Sequence, residues 1–316
     1  MAYLRFRIEP ERVMPKKALK RIHQMTFAQW EAAFPDERAC AAYLTMHRWK
    51  EGVRCPRCGA TPCKPHGTME FNWLCNACSP TNYRFSVIAG TIFENTNKPL
   101  RDWFRVIHLM LTSKKGISAL QIHRMMGFGS YKTAWYMCHR VRAGLANEEF
   151  RKLIGFVEVD ETLVGGSDEN RHWRKKSHAM GGKTDPLKFS VIGAIERGGN
   201  VVARVLDVVN TATMQGFVQQ VVSDDVSLLS TDTAVGYRHL SDDFPHGMVD
   251  HSKHRYVLGA IHTNTIEGFW SLIKRGVMGS YHKVSRKYLP LYVAEFQFRY
   301  NNRLNPDIFG EAIRGC

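Results

Sequence analysis

Hydrophobic spacing changes several times along the chain. Over 17–50, "TFAQWEAAF" and "DERACAAYLTMHRW" place apolar residues three and four apart, which predicts two helices. Pro35 separates them, and Asp36 is placed to cap the second. Periodicity then lapses into a cysteine- and glycine-containing stretch. It returns over 98–145, where "PLRDWFRVIHLMLTSKKG" reads as a helix ended by Gly116. "ISALQIHRMMGFGSYKTAWYMCHRVRAGL" follows as helix, a glycine turn from Gly127 to Ser130, and a second helix from near Tyr131. After 153 the period falls toward two. "GFVEVDETLVGG" reads as a strand, and "KFSVIGAIERGGNVVARVLDVV" as two strands joined at Gly198 and Gly199. "TATMQGFVQQVV" is the next helix, with Thr211 or Thr213 as its cap, and "SLLSTD" is a short strand. Helices over 264–275 and 286–302 close the pattern. In the first, Ile266, Phe269, Trp270 and Ile273 form one apolar stripe. The polar segment "GGSDENRHWRKKSHAMGGKTD" reads as an exposed loop.

These elements predict a multidomain α+β protein with four parts. They are an N-terminal helical segment (1–52), a cysteine-bearing module (53–92), a helical unit (93–150) and a C-terminal α/β domain (151–316). The helix–turn–helix outline of the third part suits entry of its second helix into a DNA major groove. Lys132, Arg140 and Arg142 on that helix suit phosphate contacts. In the fourth part, three strands, a helix, a strand and closing helices follow the element order of a ribonuclease-H-like domain.

Charge sharpens this division. The 316 residues hold 44 Lys and Arg against 29 Asp and Glu, a formal +15. Residues 1–150 carry 23 of these cations against 11 anions, and the remainder carries 21 against 18. A basic half beside a nearly neutral one indicates a polyanion-binding module joined to something else. No apolar run approaches the ~20 residues of a membrane span. The N-terminus lacks a secretory h-region, so a cytoplasmic, nucleoid-associated protein is expected.

Five of the 8 cysteines fall between Cys55 and Cys78. Cys55-x-x-Cys58 and Cys75-x-x-Cys78, sixteen residues apart, have the paired-knuckle spacing of a zinc ribbon. Each two-residue gap makes a turn that offers two thiolates to one tetrahedral ion. Cys63 and His66 lie in the loop between knuckles and read as bystanders.

The C-terminal half has its own cluster. Asp160 interrupts an apolar strand, Glu158 shares its face, and Glu161 points to the other. Asp232 ends "SLLSTD", and Glu267 stands on the late helix with Lys274 two turns on. Carboxylates in a central strand are costly without an offsetting positive charge. Two Mg²⁺ ions held by such a set would serve in-line phosphoryl displacement.

The stretches "CPRCG…CNAC", "FSVIAGTIFENTNKPL", "VEVDETLVGG", "STD" and "IHTNTIEGFWSLIKRGVMGSYHKVSRKYLPLYVAEFQFRYNNR" resemble the DDE-type insertion-sequence transposases with an N-terminal zinc ribbon, within the retroviral-integrase superfamily. The resemblance runs from about residue 25 to 303. It implies Asp160, Asp232 and Glu267 as catalytic acids holding Mg²⁺ or Mn²⁺, two ions in all, and Lys274 as a DNA-phosphate contact. It implies structural Zn²⁺ on Cys55, Cys58, Cys75 and Cys78. The implied partners are double-stranded DNA, both terminal inverted repeats and target, and further copies of the chain as a homodimer or higher oligomer. The implied reaction is hydrolysis of the element ends followed by joining of each 3′ hydroxyl to target DNA. His262 and Asn264 lie in the same motif, and Thr233 stands where relatives carry an acid. Two rival readings are a domesticated zinc-ribbon DNA-binding protein and a metal-dependent nuclease that does not join strands.

Overall fold

The computed structural model describes residues 26–316 apart from 79, 81, 147–149, 166–187, 234 and 250–260. The helical reading of 17–25 and the exposed-loop reading after Gly165 lie outside these residues. The first described elements are α1 (Phe27–Ala33) and α2 (Glu37–Arg48). Thr26 and Gln29 form a capping box on α1, and Asp36 caps α2 by accepting from the Ala39 N–H, as expected. Three short antiparallel strands follow: β1 (Lys64–Pro65), β2 (Asn72–Cys75) and β3 (Tyr83–Ser86). Arg48, at the end of α2, fixes this small sheet by donating to the carbonyls of Val87 (2.7 Å) and Ala89 (2.5 Å).

Next come α3 (Leu100–Thr112), α4 (Ala119–Met126) and α5 (Tyr131–Leu145). Ser118 and Ser130 cap α4 and α5. Gly127 ends α4 at φ 64°, a left-handed conformation that favours glycine. The turn therefore falls where the sequence places it. Arg142, expected to meet DNA phosphate, does not reach the surface. Its side chain is 1% exposed, and its Nε donates to the equally buried Glu295 at 2.7 Å. Its guanidinium also lies 4.0 Å from the centre of the Tyr292 ring. The reason is helical register. Met137, Cys138, Val141, Arg142 and Leu145 all occupy the inward face of α5.

The C-terminal half is built on β4 (Leu153–Gly165), β5 (Lys188–Glu196), β6 (Val201–Leu206), α6 (Thr211–Val221), β7 (Val222–Asp232) and β8 (His246–Val249). The helices α7 (Asn264–Gly276), α8 (Leu289–Asn301) and α9 (Ile308–Gly315) complete the order. Strand order in the sheet is β6-β5-β4-β7-β8. The β6, β5 and β4 neighbours are antiparallel, and β4 with β7 and β7 with β8 are parallel. One face carries Val157, Val159, Phe217, Val218 and Tyr237, and the other carries Val191, Ile195, Ile266, Phe269 and Ile273. Helix α6 therefore covers one side, and α7 with α8 the other.

Three details depart from the sequence reading. The cap of α6 is Asn210, with Thr213 as its capping-box partner. Strand β7 begins at Val222, five residues before the "SLLSTD" read as the strand, and β8 follows it. Helix α9 returns to the N-terminal helices, where Phe309 lies 5.4 Å from Phe104 and 5.6 Å from Phe34, centroid to centroid. Both ends of the described chain thus build one core. Strand β6 lies at the sheet margin, and α8 occupies its open polar groups. Asn301 accepts from Val201 N (2.8 Å) and donates to Val201 O (2.9 Å), and Gln297 accepts from Ala203 N (2.8 Å).

Candidate active site and zinc centre

The knuckles of the small sheet bring four sulfurs together. Ligand atoms of Cys55, Cys58, Cys75 and Cys78 all lie within 4.8 Å of one another. Tetrahedral zinc with Zn–S bonds of ~2.3 Å requires sulfur–sulfur edges of about 3.8 Å. The Sγ pairs Cys55–Cys78 and Cys58–Cys75 are 3.8 Å and 3.6 Å apart, so the set fits a structural zinc. Cys63 stays outside it, its thiol directed to the Ala60 carbonyl at 3.5 Å. His66 instead accepts at Nδ1 from the Met69 N–H, 3.2 Å away. Both are bystanders to the sulfur set.

The carboxylates converge in the other half. Strands β4 and β7 run parallel with Glu158 opposite Ser230, so Asp160 and Asp232, two residues further along each strand, are neighbours. Neighbouring strands lie ~4.8 Å apart. On the sheet face, α7 brings Glu267 and Lys274 to the same open groove that Asp160 and Glu161 line. Burial first, then the like charges of Glu161 and Asp232, pushes the Asp160 carboxyl up to about 7. Burial also raises Glu161, against the Tyr237 hydroxyl that donates to it at 2.5 Å. Glu161 faces the α6 side, as its place in the strand requires. Among the described residues, only the cysteine set has all its ligand atoms within 4.8 Å. Asp160, Asp232 and Glu267 form no such closed cage.

Two residues that look merely apolar or small organise this face. Trp270 belongs to the buried stripe of α7, yet its indole N–H donates to Asp160 Oδ2 at 3.0 Å. Gly193 lies opposite Asp160 in the β4–β5 register. A Cβ there would come 2.7 Å from Trp270 Cη2. Gly193→Ala should therefore displace the indole and loosen its hold on Asp160. The expected loss of stability is about 1–3 kcal/mol, read from the urea midpoint, with a shift in tryptophan emission. The absent side chain was the available signal, but a lone glycine in a strand has many readings.

Glu158 is the third element, on the face it shares with Asp160. It is fully buried and accepts from Thr265 N (2.7 Å), Thr265 Oγ1 (2.8 Å), Ile266 N (3.0 Å) and Arg197 Nε (2.6 Å). His262 Nδ1 lies 3.1 Å from the same carboxylate. Glu158 thus receives the first turn of α7, a favourable place for an anion. The adjacent Asn264 is exposed. Of the helical-unit cations, Lys132 is exposed, whereas Arg140 is half-buried and donates to the Glu94 carbonyl at 3.1 Å.

With the geometry in place, comparison with known proteins is informative. Residues 152–301 match the ISXO2-like transposase domain, and residues 35–81 match the transposase zinc-ribbon domain. The chain thus carries an ISXO2-like transposase domain together with a transposase zinc ribbon. A protein of Halobacterium salinarum described as "Uncharacterized protein in transposable element ISH50" is 28% identical over 279 residues. That similarity covers 84% of this chain and 91% of the relative. The transposase-domain match contains Asp160, Asp232, Glu267 and Lys274, and it stops before α9. The two domains of this transposase imply DNA binding. No described helix is long and apolar enough to cross a membrane.

Proposed function

We propose that this transposase cuts the ends of an insertion sequence and joins the freed 3′ hydroxyls to target DNA. The observation that carries this reading is the meeting of Asp160, Glu267 and Lys274 in one groove, with Asp232 on the strand beside Asp160. The mixed sheet order supports a ribonuclease-H-like reading of 151–316. The ribbon (53–92) and helical unit (93–150) are the proposed end-recognition parts, and 1–52 leads into them.

Asp160, Asp232 and Glu267 are the proposed ligands of two Mg²⁺ or Mn²⁺ ions. When bound, the ions would supply Lewis-acid stabilisation of the attacking and leaving oxygens. The chain's own residues do the rest. The like charges around Asp160 are a standing repulsion that a cation relieves. Trp270 holds one oxygen of Asp160 and so fixes the direction of that carboxylate. Lys274, exposed in the last turn of α7, is placed to hold a backbone phosphate over the groove. Lys132 and Arg140 on α5 are proposed to contact the repeats. Two ends must be held at once, so at least a dimer is expected on DNA.

A plasmid-mobilisation assay tests the reading. A selectable marker flanked by the inverted repeats next to this gene should insert into target DNA when the protein is supplied with Mg²⁺, and should not do so with the empty vector. Cut ends without joined products would favour a nuclease. Repeat binding without cutting would favour a domesticated binder.

A further inference from the structure

We propose that Met278 is a wedge that opens the DNA duplex beside the phosphodiester to be cut. The proposal rests on the transposase reading of the groove and extends it to how the duplex is held. Met278 is 76% exposed, the highest exposure among the large apolar side chains described. It lines the groove that also holds Asp160, Glu267 and Lys274. Its backbone belongs to a π-turn, 277–281, that continues α7 directly. Such turns occur often at functional sites.

The mount is firm. Val277, next in the chain, is buried. Tyr281, at the far end of the turn, donates its hydroxyl to the buried Glu295 at 3.2 Å. The Ser280 hydroxyl reaches the Lys115 carbonyl at 3.4 Å. Gly116 has φ +84°, and a Cβ there would overlap the Tyr281 hydroxyl, so this side chain is seated closely against the preceding helical unit. An apolar group held out by a fixed turn stays in water unless a ligand covers it.

The neighbouring cations suit DNA. Lys115, Lys274 and Arg275 line the groove together with its three carboxylates, and such cations contact backbone phosphates. Apolar side chains between cations unstack base steps and kink duplexes when inserted between bases. In a stacked duplex the scissile phosphodiester is fixed in the backbone curve. Opening the step beside it would allow that strand to settle toward Asp160 and Glu267.

The test uses the full-length protein and a duplex of the terminal inverted repeat, with 2-aminopurine at the step flanking the cleavage position. Wild type should raise the fluorescence several-fold on binding, and Asp232→Asn should do so equally without cutting. Met278→Ala should bind the repeat, lose the fluorescence rise and cut the paired end about 10-fold more slowly. Met278→Leu should retain both properties. An end mismatched at that step should restore the Met278→Ala rate. The wedge is overturned if Met278→Ala matches wild type in fluorescence and rate, or if it stays slow on the mismatched end, which would mark a structural role. If wild type binds the repeats but leaves every end uncut, the transposase reading fails, and the wedge with it.

Discussion

Asp232→Asn is expected to lower end cleavage by about three orders of magnitude while leaving the protein folded and bound to its repeats. The substitution keeps the shape of a side chain at the end of β7 and removes only its charge. The strand itself is held by neighbours that do not need that charge. Leu229 and Ser230 pair with β4 and β8 on either side, and Thr231 bonds His246 Nε2 at 2.8 Å. Burial first, and then the charges of Glu161 and Asp232, raise the Asp160 carboxyl to about 7. Neutralising Asp232 removes the smallest of these three causes, so Asp160 should move part of the way back toward the ordinary carboxylate range. The direction for stability follows. A carboxyl whose folded pKa lies above its unfolded value favours the fold below the unfolded pKa, and that contribution is lost as pH rises toward 7. Removing Asp232 lessens the loss, so the cation-free variant should melt no lower than wild type at pH 7. Thermal denaturation beside a cleavage assay on radiolabelled ends reads both quantities. A melting point lowered in parallel with activity would make Asp232 structural, and cleavage at the wild-type rate would remove it from the proposed ligand set.

How much of this was legible in the chain depends on where each signal resides. The thiolates were readable because a two-residue gap is a local geometric device, and two such gaps leave few alternatives. Asp160 stood out because a charge inside "VEVDETLVGG" breaks an apolar strand. The turn between α4 and α5 was written in Gly127 and Ser130. Strand β8 was not readable, since four residues cannot display a period. The return of α9 to Phe34 and Phe104 was hidden because its apolar residues do not name their partner. Arg142 misled for a related reason. A cation in a basic helical unit looks like a surface group, and its burial depends on Glu295, 153 positions away. Trp270 was legible as core but not as a donor to Asp160, because one side chain fills both roles.

Glu158 shows the same limit most sharply, and its replacement by alanine should have the largest effect on stability. Four hydrogen bonds from α7 and Arg197 end on this one carboxylate, which has no exposed surface. Glu158→Ala would remove the carboxylate that Arg197 Nε meets at 2.6 Å and leave the first N–H groups of α7 without an acceptor. The expected cost is about 3–5 kcal/mol. Glu158→Gln retains an acceptor but not the charge, and should cost about 1.5–3 kcal/mol. The urea midpoint measures both, and amide exchange at Thr265 and Ile266 locates the damage. Those two amides should open far faster in the alanine variant, because the helix start loses its anchor. Activity should follow the position of α7, since this helix carries Glu267, Lys274 and the Trp270 indole that holds Asp160. At a temperature where the glutamine variant is fully folded, its cleavage rate should fall between those of wild type and Asp232→Asn. Unchanged exchange at Thr265 and Ile266 in the alanine variant would mean that α7 is held by its apolar stripe alone. Slowed cleavage together with faster exchange would mean that the acid two residues before Asp160 positions the helix on which the proposed chemistry depends.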